Sequence, residues 1–161
     1  MRLFKATSLL LALSVLSLSI GAAQEQTPAQ DEAAATAAGG GPCSVITRDE
    51  MATVLETPVT RQEEPTGTRC VYYTEDPLVY VDLEIDRQNA AEAWKGVNSG
   101  NEVIGADQDT VLGLGEQAFF GPRDRLYVLS GDAFLAIEAG FDDKVRERAA
   151  KVATLAVNKL R

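Results

Sequence analysis

Three carboxylates stand at alternate positions of one apolar segment: Asp82, Glu84 and Asp86, with Tyr80 in the same phase. Alternate residues of a β-strand lie about 6.6 Å apart on one face, within the range that separates the two carboxyl groups of inverting glycosidases. Side chains on one strand face stand parallel and do not converge in a cleft, so a solvated face is the simpler interpretation. The functional alternative is a ribbon that binds a cation or a cationic protein, with Tyr80 as its aromatic member.

The rest of the chain is poor in catalytic and metal-binding patterns. It has no histidine, which excludes the usual Ser-His, Cys-His and His-metal arrangements. An EF-hand beginning at Asp107 is rejected, because Leu112 and Ala118 stand where that loop needs glycine and glutamate. A weak calcium site on Asp107, Asp109 and Glu116 is the minor alternative. We predict no metal site, no cofactor and no catalytic residue.

Two glycines precede a short predicted strand in the string GLGEQA, residues 113–118. A dinucleotide-binding loop lies between a strand and a helix, whereas this string leads into a strand. The glycines therefore indicate an unusual backbone turn or close packing. Trp94, the single tryptophan, lies on the apolar side of its predicted helix and is expected in the core.

The N-terminal residues 1–23 have the pattern of a signal peptide. Arg2 and Lys5 form a basic region, residues 9–20 are apolar, and small residues follow at 21–23. We predict cleavage before Gln24 and an exported protein, either periplasmic or secreted. No cysteine follows the small residues, so no lipid anchor is expected. The chain is then either released, without stable membrane insertion, or held by an uncleaved leader.

Residues 24–41 contain alanine, glutamine and glycine but no large apolar side chain. Such a segment cannot bury enough surface to offset the entropy of ordering, so we predict a disordered linker. Residues 42–161, about 120 in number, suffice for one domain with a core.

Cys43 and Cys70 are the two cysteines of the chain. Behind an export signal a disulfide is the better interpretation, because the compartment is oxidising. A redox-active pair would more often be closely spaced. We therefore predict a structural bridge, which would connect the first helix of the domain to its first strand.

The chain carries 24 acidic and 15 basic residues, a formal net charge of −9. A negative field repels phosphate backbones, so nucleic acids and anionic membrane surfaces are not expected as partners. A cationic partner is compatible with the charge, although solubility is the simpler explanation of it.

The apolar periodicity predicts an α+β fold in the order α-β-β-α-β-β-β-α. Thr47 and Glu50 form a capping box before a short helix that ends near Glu56. Further helices are predicted from Asn89 to before Gly100, and from an Asp142 or Asp143 cap to the C-terminus. About five strands, residues 68–74, 78–86, 117–120, 125–130 and 133–139, should form an antiparallel sheet with helices on one face.

The cysteine pair around a capped helix, the Gly-Leu-Gly-Glu-x-Ala string at Gly113 and the terminal amphipathic helix resemble a group of small exported bacterial envelope proteins. These include actinobacterial lipoproteins of the LpqN-like type, with the α+β fold of PsbP-like domains. The resemblance covers about residues 42–161 and implies a non-catalytic binding or accessory role in the cell envelope. The chain differs in lacking the lipid-acceptor cysteine.

Three functions remain open at this point. The first is a non-enzymatic envelope domain that binds a protein or a small ligand. The second is an acidic inhibitor of a basic secreted hydrolase. The third is a hydrolase that uses carboxylates.

Overall fold

Seven strands form one antiparallel sheet in the structure, a computed structural model that describes residues 40–161. Across the sheet their order is β1-β2-β3-β7-β6-β5-β4. The predicted signal peptide and residues 24–39 of the predicted linker lie outside the described residues. The strands are β1 (Arg61–Thr66), β2 (Arg69–Tyr73), β3 (Tyr80–Asp86), β4 (Asp109–Thr110), β5 (Gln117–Phe120), β6 (Leu126–Ser130) and β7 (Ala133–Glu138).

Four α-helices accompany the sheet in this part of the chain: α1 (Pro42–Val45), α2 (Arg48–Leu55), α3 (Ala90–Ile104) and α4 (Val145–Leu160). Residues of α1, α2 and α4 pack on one face of the sheet, while α3 packs on the other. The α+β class and the antiparallel sheet are confirmed. The prediction that the helices cover a single face is wrong.

The larger core lies between the sheet and α4. Alternate residues of β3 and β7 point into it, and Val81, Leu83, Leu135 and Ile137 have no solvent exposure, as the alternation in β3 predicts. Tyr72 is equally buried, and its hydroxyl donates to the Ile46 carbonyl oxygen at 2.6 Å. On α4 the buried positions include Val145, Ala149, Val152 and Ala156, which recur every three or four residues. Leu160, the next apolar residue in this phase, is partly buried.

A smaller core lies under α3 on the opposite face. Phe134 and Ala136 are buried there, and Trp94 packs edge-on against Phe119 with ring centroids 5.2 Å apart. This second core explains the incorrect prediction about the helices. Unlike β3, strand β7 is apolar in both phases, so both of its faces need a covering layer.

Two of the seven strands, β1 and β4, were not predicted. Both lie at an edge of the sheet, and their side chains are almost all exposed. Because neither face of these strands is buried, no alternation of apolar and polar residues marks them, and backbone pairing with the neighbouring strand defines them.

Helix ends follow the sequence only in part. The capping box of Thr47 and Glu50 is confirmed, with bonds in both directions. Helix α3 continues through Gly100 to Ile104 and ends at Gly105, which has a left-handed φ of 63°. Helix α4 begins at Val145 with no side-chain cap, so the predicted aspartate cap is wrong.

The disulfide between Cys43 and Cys70 is confirmed, with Cα atoms 5.1 Å apart. It connects α1 to β2. Gln62 of the edge strand donates to the Cys43 carbonyl oxygen at 3.1 Å. The bridge therefore holds the start of the domain against the β1 edge of the sheet.

Candidate binding face

Tyr80, Asp82, Glu84 and Asp86 lie on the sheet face that α3 covers in part. Helix α3 packs over side chains of β5, β6 and β7, while no helix of the described residues packs over the same face of β1, β2 and β3. We call the uncovered part the open half-face. Strand register and side-chain bonds assign to it Arg61, Glu63, Arg69, Val71, Tyr73, Tyr80, Asp82, Glu84, Arg125 and Glu138.

Asp82 is buried although it lies on this open half-face. It is only 7 % exposed, because the Arg69 guanidinium covers it with two hydrogen bonds, one of them from Nε at 2.7 Å. The bond to Asp82 raises the pKa of Arg69. Such a fork-to-fork pair fixes both side chains in one geometry.

Glu84 and Asp86 also have internal partners. Arg125 pairs with Glu84 at 3.2 Å, and its guanidinium lies 5.8 Å from the centre of the Tyr127 ring. Asp86 accepts the backbone N–H groups of the two residues that precede α3, at 2.8 and 2.9 Å. Asp86 therefore orders the entry to α3.

Tyr80 donates its hydroxyl hydrogen to Glu138, the residue diagonally across on β7. Burial raises the pKa of Tyr80, and the bond to Glu138 raises it further. Tyr80 thus remains a protonated donor, and its ring receives the Phe141 ring edge-on at 5.5 Å. At the far edge, Arg61 bonds Glu63 and lies 4.0 Å above the Tyr73 ring.

The open half-face is therefore a network of opposite charges with aromatic rings among them. The structure brings the four predicted residues together on β3. It also supplies cationic partners, Arg69 and Arg125, that sequence reasoning missed. Arg69 reaches Asp82, and Tyr80 reaches Glu138, diagonally across neighbouring strands. These contacts depend on strand register, which the sequence pattern does not reveal. Guanidinium groups thus hold the carboxylates of Asp82 and Glu84 on this face.

A second feature missed by sequence reasoning adjoins Tyr80: the Leu78–Phe141 pair. These side chains are 53 % and 59 % exposed, and Phe141 N–H donates to the Leu78 carbonyl oxygen at 3.1 Å. The turn that carries Phe141 is fixed from behind, because buried Arg148 donates to the Ala139 carbonyl oxygen at 2.8 Å and binds Asp142. This bond lowers the pKa of Asp142.

Val79 and Asp142, which directly follow Leu78 and Phe141 in the chain, line a cavity of about 320 Å³. Apolar side chains from α2 and from the start of β3 line part of it, including Val54, Leu55 and Val79. Acidic side chains outnumber basic ones among the other lining residues. They are Glu56, Asp76, Asp142, Asp143 and Glu147, against Lys144, Arg148 and Lys151.

The glycine string has the structural role that its position predicts. Gly113 and Gly115 have φ values of 78° and 62°, and a Cβ on Gly115 would lie 2.5 Å from the Leu129 carbonyl oxygen. Two of the three carboxylates of the weak calcium hypothesis are engaged elsewhere: Asp109 bonds Arg146 at 2.5 Å, and Glu116 accepts from Gly131 N–H at 3.1 Å. Within residues 40–161, no cluster of acidic or cysteine side chains suits a metal ion.

No helix among residues 40–161 has the length and apolar character needed to cross a bilayer. The disulfide fits an exported protein. Comparison with protein-family models, curated proteins and solved structures finds no match to this chain.

Proposed function

We propose that the protein is a non-enzymatic, exported envelope domain that binds a protein or a small ligand through its open half-face. The observation that carries this proposal is the division of one sheet face. Helix α3 covers the apolar part, whereas a charged and aromatic part remains in contact with solvent.

The open half-face is preorganised for binding. Its long side chains are held by one another: Arg69 by Asp82, Arg125 by Glu84 and Tyr80 by Glu138. Ordering a free side chain on binding costs about 0.5–1.5 kcal/mol, and side chains that are already fixed avoid most of that cost. Tyrosine and arginine are also enriched in protein interfaces.

The chemistry of the chain supports binding more than catalysis. The absence of histidine removes the commonest general base. The carboxylates at the centre of the open half-face, Asp82 and Glu84, are bound to Arg69 and Arg125. The disulfide supports the assignment to an exported compartment.

An envelope pull-down combined with thermal-shift screening tests the proposal. The purified protein should capture a reproducible partner, or a small molecule should raise its melting temperature. Arg61→Ala and Tyr73→Ala, at the rim of the open half-face, should weaken that binding at least tenfold. Arg87→Ala is the matched control, because Arg87 is an exposed arginine that pairs with Asp132 in a turn outside this face.

Two results would contradict the proposal. One is the repeated absence of any partner or stabilising ligand. The other is turnover of a glycan substrate by the purified protein, which would favour the carboxylate hydrolase. Loss of that turnover in the Glu84→Gln variant would then place the chemistry on this face.

A further inference from the structure

We infer that the Leu78–Phe141 pair and the cavity beside it form a docking point for a basic polypeptide segment. An apolar side chain of the partner would cover the pair, and a lysine or arginine side chain would enter the cavity. The inference rests on the proposed binding function and specifies both the surface and the chemistry of the partner.

The backbone around Leu78 and Phe141 holds these two side chains in an exposed position. Gly140 has a φ of 88°, and a Cβ there would collide with the Leu78 carbonyl oxygen, so the two chain segments meet more closely than other residues allow. Arg148 fixes the following turn through Asp142. A rigid exposed aromatic side chain with an apolar neighbour is typical of the anchor positions of protein interfaces.

The cavity supplies the charge complementarity. Its three cations are already engaged: Arg148 pairs with Asp142, Lys151 with Glu147 at 2.8 Å and Glu56 at 3.4 Å, and Lys144 with Glu56 at 3.9 Å. The two remaining acidic lining residues, Asp76 and Asp143, form no ion pair among the described residues; the carboxylate of Asp76 accepts only the Leu78 backbone N–H, at 2.9 Å.

The mixed lining of the cavity suits a partner lysine or arginine side chain. Its aliphatic stem would contact the apolar lining of Val54, Leu55 and Val79, and its charged group would reach the carboxylates without an ion pair. An anionic lipid surface or a second copy of this acidic chain would bring like charge to the same carboxylates. The charges therefore favour a basic polypeptide.

The test uses a series of fluorescein-labelled peptides built from Gly and Ser. Each peptide contains one Trp or Phe and two lysines, and the spacing between the aromatic residue and the lysines varies from one to five residues. Fluorescence anisotropy measures their affinity for the purified protein at low and moderate salt. The peptide with at least one of these spacings should bind tenfold more tightly than two control peptides. In one control Glu replaces Lys, and in the other Ser replaces the aromatic residue. The affinity of the tightly bound peptide should fall as salt rises.

Substitutions in the protein test whether the peptide binds at the docking point. Phe141→Ser and Leu78→Ser should each weaken it at least tenfold, and Phe141→Leu should restore most of it. Asp143→Asn should weaken it severalfold and reduce its salt dependence. The matched controls are Val103→Ser and Asp107→Asn, an exposed apolar and an exposed acidic residue at the end of α3 and just beyond it, which should leave the affinity unchanged.

Several results would overturn the inference: no peptide that prefers Lys over Glu, equal losses in the control variants, or a dimer in sedimentation that Phe141→Ser dissociates. These results differ from failure of the proposed function. An envelope partner that binds the Phe141→Ser variant normally, but not the Arg61→Ala variant, would refute this docking point and leave the open half-face as the binding surface.

Discussion

Loss of the Cys43–Cys70 disulfide should lower the free energy of unfolding by about 3.6 kcal/mol through chain entropy alone. The bridge spans a sequence separation of 27 residues, and the loop-closure relation gives that value at 25 °C. Cys70 is also fully buried, so its replacement by alanine removes a packed sulfur atom and adds about 1 kcal/mol. The Cys43→Ala/Cys70→Ala variant should therefore be about 4–5 kcal/mol less stable than the wild type.

Thermal and urea unfolding measure this loss. An unfolding entropy of about 2.1 cal/mol/K per residue, over about 120 residues, is about 0.25 kcal/mol/K. The entropic part alone then corresponds to a fall of about 14 °C in Tm. Circular dichroism in urea, with and without dithiothreitol, gives the free energy directly.

The reductant is also the internal control. Dithiothreitol should shift the wild type toward the double variant and leave the double variant itself unchanged. A loss below about 1.5 kcal/mol would refute the reasoning, because the bridge would then not restrict the unfolded chain as the entropy model requires.

Three further perturbations have defined outcomes. Tyr72→Phe leaves the buried Ile46 carbonyl oxygen without its bond, and urea titration should show a loss of about 1–3 kcal/mol; no measurable loss would contradict this. Gly140→Ala forces a Cβ against the Leu78 carbonyl oxygen and should cost about 1–3 kcal/mol by calorimetry, whereas unchanged stability would show that the turn relaxes freely. Lys159 and the N-cap residue Thr47 lower the pKa of Glu50 from 4.5 to about 2. The contribution of Glu50 to the stability of the folded protein is therefore complete above pH 4.5 and disappears as pH falls toward 2. Glu50→Gln should therefore narrow the difference in Tm between pH 6 and pH 2.5, and identical pH profiles would argue against this pair.

The features predicted correctly from the sequence are those that depend on local spacing. The alternation in β3 defines which of its residues enter the core, because side chains of a strand alternate strictly between faces. The capping box of α2 is equally local, since Thr47 and Glu50 are three residues apart. The disulfide followed from the number of cysteines and the inferred compartment.

The features that were missed depend on contacts between distant segments. Strand β1 has no apolar alternation, so nothing local separates it from a loop. The burial of Asp82 depends on Arg69, which reaches it only because β2 and β3 pair in one register. Phe141 was missed as an exposed anchor because its position depends on Arg148, in another element.

The boundary between the covered and open parts of the sheet face is encoded in β7. Phe134, Ala136 and Glu138 point to this face in succession; the first two are buried under α3, and the third bonds Tyr80 outside it. An apolar residue at 138 would extend the apolar surface beyond the reach of α3 and expose it to association. Glu138 therefore marks where the apolar surface of β7 ends, and its bond to Tyr80 continues the polar surface toward Phe141.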